Sequence, residues 1–158
     1  MQLLTESTAV SAIYNMVIEA ENNCGIFLEQ DLQSFVVYAL LRNINNNQLK
    51  DFVFATELLN AVNTTNRRNL EAVLDNALIY AGMYPQRANK SGLSTSYYHD
   101  IGVAASSQLS VYYANLNSSY QNVYKKISTD FSYMITVLKS FIIPNDIEKL
   151  VMSNLRGC

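Results

Sequence analysis

Leu70-Glu71-Ala72-Val73-Leu74-Asp75-Asn76-Ala77-Leu78-Ile79-Tyr80-Ala81-Gly82-Met83 is the stretch on which the fold turns. Leu70, Val73, Leu74, Ala77, Leu78 and Ala81 recur at spacings of three and four, which puts them on one stripe of an α-helix and on opposite faces of a strand. Pro85 biases Tyr84 away from helical geometry, so this helix is expected to stop near Gly82 or Met83. Glu71 and Asp75 stand four apart, off the apolar stripe, and read as two solvated acids on an exposed face.

The same rhythm extends outward in both directions. Val10, Ile13, Tyr14 and Val17 mark a first helix that should fade at Asn22-Asn23-Cys24, with Gly25 as its stop. Leu32, Phe35, Val36, Ala39 and Leu40 define a second, which Val37 and Leu41 widen enough to place it at the centre of the core. Phe52, Ala55, Leu58, Leu59 and Val62 suggest a third helix, although Phe52-Val53-Phe54 also fits an extended stretch. Beyond Pro85, Ser94 is a natural N-cap for a helix with Tyr98, Ile101, Ala105, Leu109 and Tyr112 inside, and Gly102 lets another helix come close. Ser118 with Gln121 fits a capping box opening the longest helix, whose stripe runs Tyr120, Tyr124, Ile127, Phe131, Met134, Ile135, Leu138 and Ile142 until Pro144. Asn145 with Glu148 caps a short closing helix carrying Ile147, Leu150, Val151 and Leu155. The expected fold class is all-α, an irregular bundle of six or seven helices in a single domain over residues 1–158.

Composition limits what such a bundle does. At 158 residues, folding buries roughly 70% of the chain's surface, enough for one good core. Apolar residues make up 49% and charged residues only 15%, so the polar surface rests on Asn, Ser, Thr, Gln and tyrosine hydroxyls. The net charge is −2 and the cations are scattered, Arg67-Arg68 and Lys125-Lys126 being the densest pairs. A nucleic-acid partner is therefore not expected, because its phosphates demand clustered cations. No apolar run approaches the ~20 residues that span a bilayer, and Met1-Gln2-Leu3-Leu4-Thr5-Glu6 lacks the pattern of a signal peptide. No membrane association and a cytoplasmic location are the expectation, with Cys24 and Cys158 as free thiols.

Catalytic chemistry is hard to assemble from these residues. His99 is the only histidine, so no two-histidine metal site can form, and it reads as a surface or interface residue near a helix start. Its neighbour Asp100 points about 100° away on a helix. Cys24 has no adjacent base or cation to lower its pKa and reads as a small packed hydrophobe. No phosphate loop, nucleophile elbow, zinc spacing or calcium loop occurs. No cofactor, metal or catalytic residue is expected. The tyrosines cluster in the second half, as Tyr97-Tyr98, Tyr112-Tyr113, Tyr120, Tyr124 and Tyr133, and tyrosine is favoured at interfaces.

Ala77-Leu78-Ile79-Tyr80-Ala81-Gly82-Met83-Tyr84-Pro85-Gln86-Arg87, followed by Ser94-Thr95-Ser96-Tyr97-Tyr98-His99-Asp100-Ile101-Gly102-Val103-Ala104-Ala105, resembles an uncharacterised family of small bacterial helical proteins. Its pattern runs L-x-x-A-G-L-F-P-E-R, then S-x-x-Y-Y-x-x-x-G-x-x-A-Y-x-x-L, and the likeness covers Gly25 to Leu109. Gln86 departs from the acid of that pattern and Ser106 from its tyrosine. The resemblance implies a shared fold and no activity.

Two functions are compatible with these residues. The first is a non-enzymatic protein-interaction or regulatory domain, whose partner is another protein or a second copy of the chain. The alternative is a small-ligand binder or enzyme with a pocket between helices near His99. Tyr84, Arg87, Tyr97, Tyr98, His99 and Asp100 are the candidate binding residues, with Arg87 as the anchor of a loop that rigid helices present.

Overall fold

A computed structural model of the chain describes residues 6–44, 66–84 and 95–141. Among them are five helices and no strand: α1 Glu6–Cys24, α2 Gln30–Ile44, α3 Arg67–Met83, α4 Thr95–Asn115 and α5 Tyr120–Lys139. The all-α expectation holds. The helix read from Phe52 to Val62 and the closing helix from Ile147 to Leu155 lie outside the described residues, as do Ser94, Pro85 and Pro144.

α1 ends where its sequence says it should. Gly25 adopts φ 74°, a left-handed conformation that costs glycine nothing, and its N–H closes the last turn on the Glu21 carbonyl. The turn into α2 is then held by Glu21 itself, only 2% exposed. One carboxylate oxygen accepts from the Leu28 N–H at 2.6 Å, the other from Gln33 Nε2 at 2.7 Å. These bonds are what allow a carboxylate to be buried there. Cys24 packs against the core with a free thiol.

The centre of the bundle is α3, not α2 as its wide stripe suggested. Every residue from Val73 to Gly82 is buried, whereas α2 keeps one side open to solvent at Tyr38 and Arg42. α4 packs along both α3 and α5, and the α1–α2 pair closes over α5. One apolar cluster takes residues from all five helices, including Val17, Val36, Leu74, Leu109 and Phe131.

Two glycines let α5 come this close. A Cβ on Gly102 would overlap the end of the Phe131 ring, and one on Gly82 would overlap Leu138. Gly102 thus admits another helix as expected. Gly82, read as a helix stop, lies inside the last turn of α3 and is a docking point for α5. Phe131 and Leu138 are almost wholly buried, so neither can move aside freely.

α4 and α5 form a tight hairpin. The Leu116, Asn117 and Ser118 N–H groups bond back to the carbonyls of Tyr113, Ala114 and Tyr113, and Asn117 takes the left-handed conformation at φ 53° that asparagine tolerates better than most residues. The Ser118 capping box does not form as expected. α5 starts at Tyr120 with Ser119 as its N-cap, and Ser118 Oγ accepts from the Tyr120 N–H instead of the Gln121 N–H. Nor is α5 the longest described helix, since its 20 residues fall one short of the 21 of α4.

Candidate functional site

The two acids at Glu71 and Asp75 correct the sequence reading most sharply. Asp75 is 5% exposed and is gripped by the Arg42 guanidinium, whose Nε and Nη2 donate to its two oxygens at 2.9 and 3.0 Å. Glu71 is half-buried and accepts from Arg67 Nη1 at 3.1 Å, from the Tyr113 hydroxyl at 3.2 Å and from that of Tyr124 at 3.5 Å. They are not free solvated acids, because α3 is central and its polar side faces α2 and the α4–α5 hairpin. Burial pushes the Asp75 carboxyl above its ordinary range while Arg42 pulls it back. Burial, reinforced by Glu71, raises the Tyr124 phenol well above its usual value.

This network fixes a tyrosine cluster at the closed end of the hairpin. Tyr113 stacks parallel on Tyr124 with centroids 5.3 Å apart. Tyr112 meets it edge-on at 5.1 Å, and Tyr120 leans against it at 5.5 Å. Ser110 Oγ adds a bond to the Gln121 carbonyl at 3.0 Å. Such rings supply stiff, amphipathic contact area at little entropic cost. The inward stripe expected for α5 therefore begins at Tyr124, which packs against the core, and not at Tyr120. Tyr124 is half-buried, and Tyr120 is 61% exposed.

Beside this cluster, the outer face of α4 is exposed and uncharged. Ala104, Ser107, Gln108, Val111 and Asn115 are all exposed at spacings of three and four. Val111 is 57% exposed, and Leu116, on the turn that follows, is 59% exposed. From Ile101 to Tyr124 the chain contains no Asp, Glu, Lys, Arg or His. Solvent-facing helix surfaces are ordinarily rich in those residues, whereas depletion of charge with enrichment of tyrosine marks interface cores. The gap is visible in the sequence as an uninterrupted uncharged run, although none of the candidate binding residues falls within it.

Those candidates fall in three places. Tyr98 is buried in the core, stacked on Tyr80 at 5.6 Å and edge-on to Tyr97 at 5.3 Å. Tyr97 is half-buried, and burial raises its phenol. Tyr84 is half-buried at the C-terminal cap of α3, its N–H on the Tyr80 carbonyl. His99 is half-buried with its ring 5.8 Å from Phe131, while Asp100 is exposed. Their side chains do meet, Nδ1 to Oδ1 at 3.2 Å, despite being neighbours on a helix. Arg87 lies outside the described residues.

Other polar groupings are engaged internally. Lys126 bonds to both Glu29 and Asp31, and those bonds raise its pKa. The shallow groove lined by Glu29, Gln30, Asp31, Ser34 and Lys126 thus has its charges paired. Among the described residues no group of three or more His, Cys, Asp or Glu is placed to hold a metal ion, and no helix is long and apolar enough to cross a membrane. Comparison with protein-family models, curated proteins and solved structures finds no match.

Proposed function

We propose that the chain is a non-enzymatic protein-interaction or regulatory domain, a single bundle of six or seven helices that binds through the outer face of α4 and the end of the α4–α5 hairpin. The observation that carries this reading is the coincidence of exposed Val111, Leu116 and Tyr120 with the chain's charge-free run. Covering that surface removes apolar area from water without stripping any ion of its hydration. Its side chains are mostly short, so ordering them costs little. The tyrosine cluster and the Glu71 network hold the surface in one shape before a partner arrives, which lowers the cost of binding.

A pocket near His99 is the weaker alternative. Tyr98 is occupied in the core, and His99 has Phe131 against its ring and an exposed carboxylate beside it.

Capture from an extract of the source cells tests the proposal. Wild type and Val111→Glu are immobilised in parallel, and the variant is expected to lose the proteins that wild type retains. Because Val111 faces solvent, its replacement is expected to leave the thermal midpoint nearly unchanged. Equal retention by both would count against the α4 face.

A further inference from the structure

We propose that the α1–α2 pair is a strap that opens as one unit from a folded body of α3, α4 and α5, with charged clasps at the two ends of α2. The device is independent of the proposed binding face, because α4 belongs to the part that stays folded.

Packing divides the bundle in this way. α3, α4 and α5 each lie against the other two, and the notches at Gly82 and Gly102 seat α5 on α3 and α4. The stack of Tyr98 on Tyr80 ties α4 to α3 again. α1 and α2 meet this body more thinly, both along α5 and α2 also on α3. Bonds across their turn make them one unit: Glu21 of α1 holds the Leu28 N–H and the Gln33 side chain, and the Tyr14 hydroxyl reaches Ser34 Oγ at 3.5 Å. Helices of 19 and 15 residues have little stability without packing. A pair that leaves α5 therefore unfolds together, while the body keeps its own interfaces.

Charge closes the strap at both ends. Beside the start of α2, Glu29 and Asp31 share the Lys126 ammonium of α5. About 16 Å further along the helix, Arg42 grips Asp75 of α3 through two hydrogen bonds. Arg42 also lies over Phe35, whose ring meets Tyr124 of α5 edge-on at 6.4 Å. Between the clasps Leu32, Val36 and Leu40 are buried, so the strap is closed nearly all of the time and the ion pairs set how often it opens. Opening bares the side of α5 that carries Tyr124.

Hydrogen exchange of the intact chain, followed peptide by peptide with mass spectrometry, reads this opening. Peptides of α1 and α2 are expected to exchange together, and faster than those at the centres of α3 and α4. Tyr98→Leu removes the ring stacked on Tyr80 and weakens the body, which is folded whether the strap is closed or open. It is expected to speed exchange in α3 and α4 and to leave α1 and α2 unchanged. Arg42→Ala is expected to speed α1 and α2 by one common factor, about thirtyfold. Lys126→Gln, at the surface, is expected to do the same by a smaller factor, because that ion pair is exposed. Equal exchange throughout, or a Tyr98→Leu effect of the same size in all five described helices, would show one cooperative unit and overturn the strap. An Arg42→Ala effect confined to the peptide that contains position 42 would overturn it as well.

Discussion

Asp75 combines deep burial with a single guanidinium partner, and that pairing sets its response to mutation and to pH. Arg42→Ala leaves a carboxylate facing the core without its counter-ion. The expected loss is about 2 kcal/mol, below the ~3–5 of a fully buried pair because the Arg42 side chain is half exposed. Urea titration measures it. Burial raises the folded-state pKa of Asp75 above its unfolded value, so the native state holds that proton more tightly than the unfolded chain does. Stability from this group is fully present below the ordinary aspartate pKa, about 4, and is lost as pH rises through the higher folded value. Asp75→Asn does not titrate and is expected to flatten that part of the profile of urea midpoint against pH. An unchanged profile would place the pH dependence elsewhere. The spacing of four showed that Glu71 and Asp75 share a face. Which way the face looks was not legible, because it depends on Arg42, 33 positions earlier, and on tyrosines from two later helices.

Helices were legible where the apolar period is unbroken and their ends are punctuated locally. α1 stops at Gly25 and α3 near Met83 because φ at a glycine and the residue before a proline are decided within a few positions. The N-terminus of α5 was less so. Three consecutive serine and asparagine side chains compete to cap it, and the hairpin bonds decide between them. The central place of α3 was not legible either, since burial on a polar face such as Asp75 and Asn76 leaves no apolar signature. Gly82→Ala and Gly102→Ala weigh the two roles of glycine against each other. Alanine gains about 1 kcal/mol of helix propensity, but each Cβ would overlap a buried α5 side chain, and overpacking costs about 1–3 kcal/mol. Both substitutions are expected to lower the thermal midpoint, and a rise in either would mean that α5 does not dock as described. Phe131→Ala, removing the ring that fills the Gly102 notch, is expected to cost about 3–5 kcal/mol in denaturant unfolding.

Across the whole molecule, the distribution of charge is the feature that points outward. α1, α2 and α5 place charged residues among their exposed positions, whereas α4 beyond Asp100 and the hairpin that follows have none. The sequence contained this gap in plain form, but a stretch without charge reads equally as core or as covered surface until exposure is known. Val111, Leu116 and Tyr120 face solvent, which removes the core reading at those positions and supports the proposed binding face. Light-activated crosslinking from a benzoylphenylalanine at position 111, with one at exposed Thr136 on α5 as reference, tests the central claim most directly. The expected result is a discrete covalent adduct from position 111 and none from position 136. Equal crosslinking from both positions, or none from 111, would contradict it.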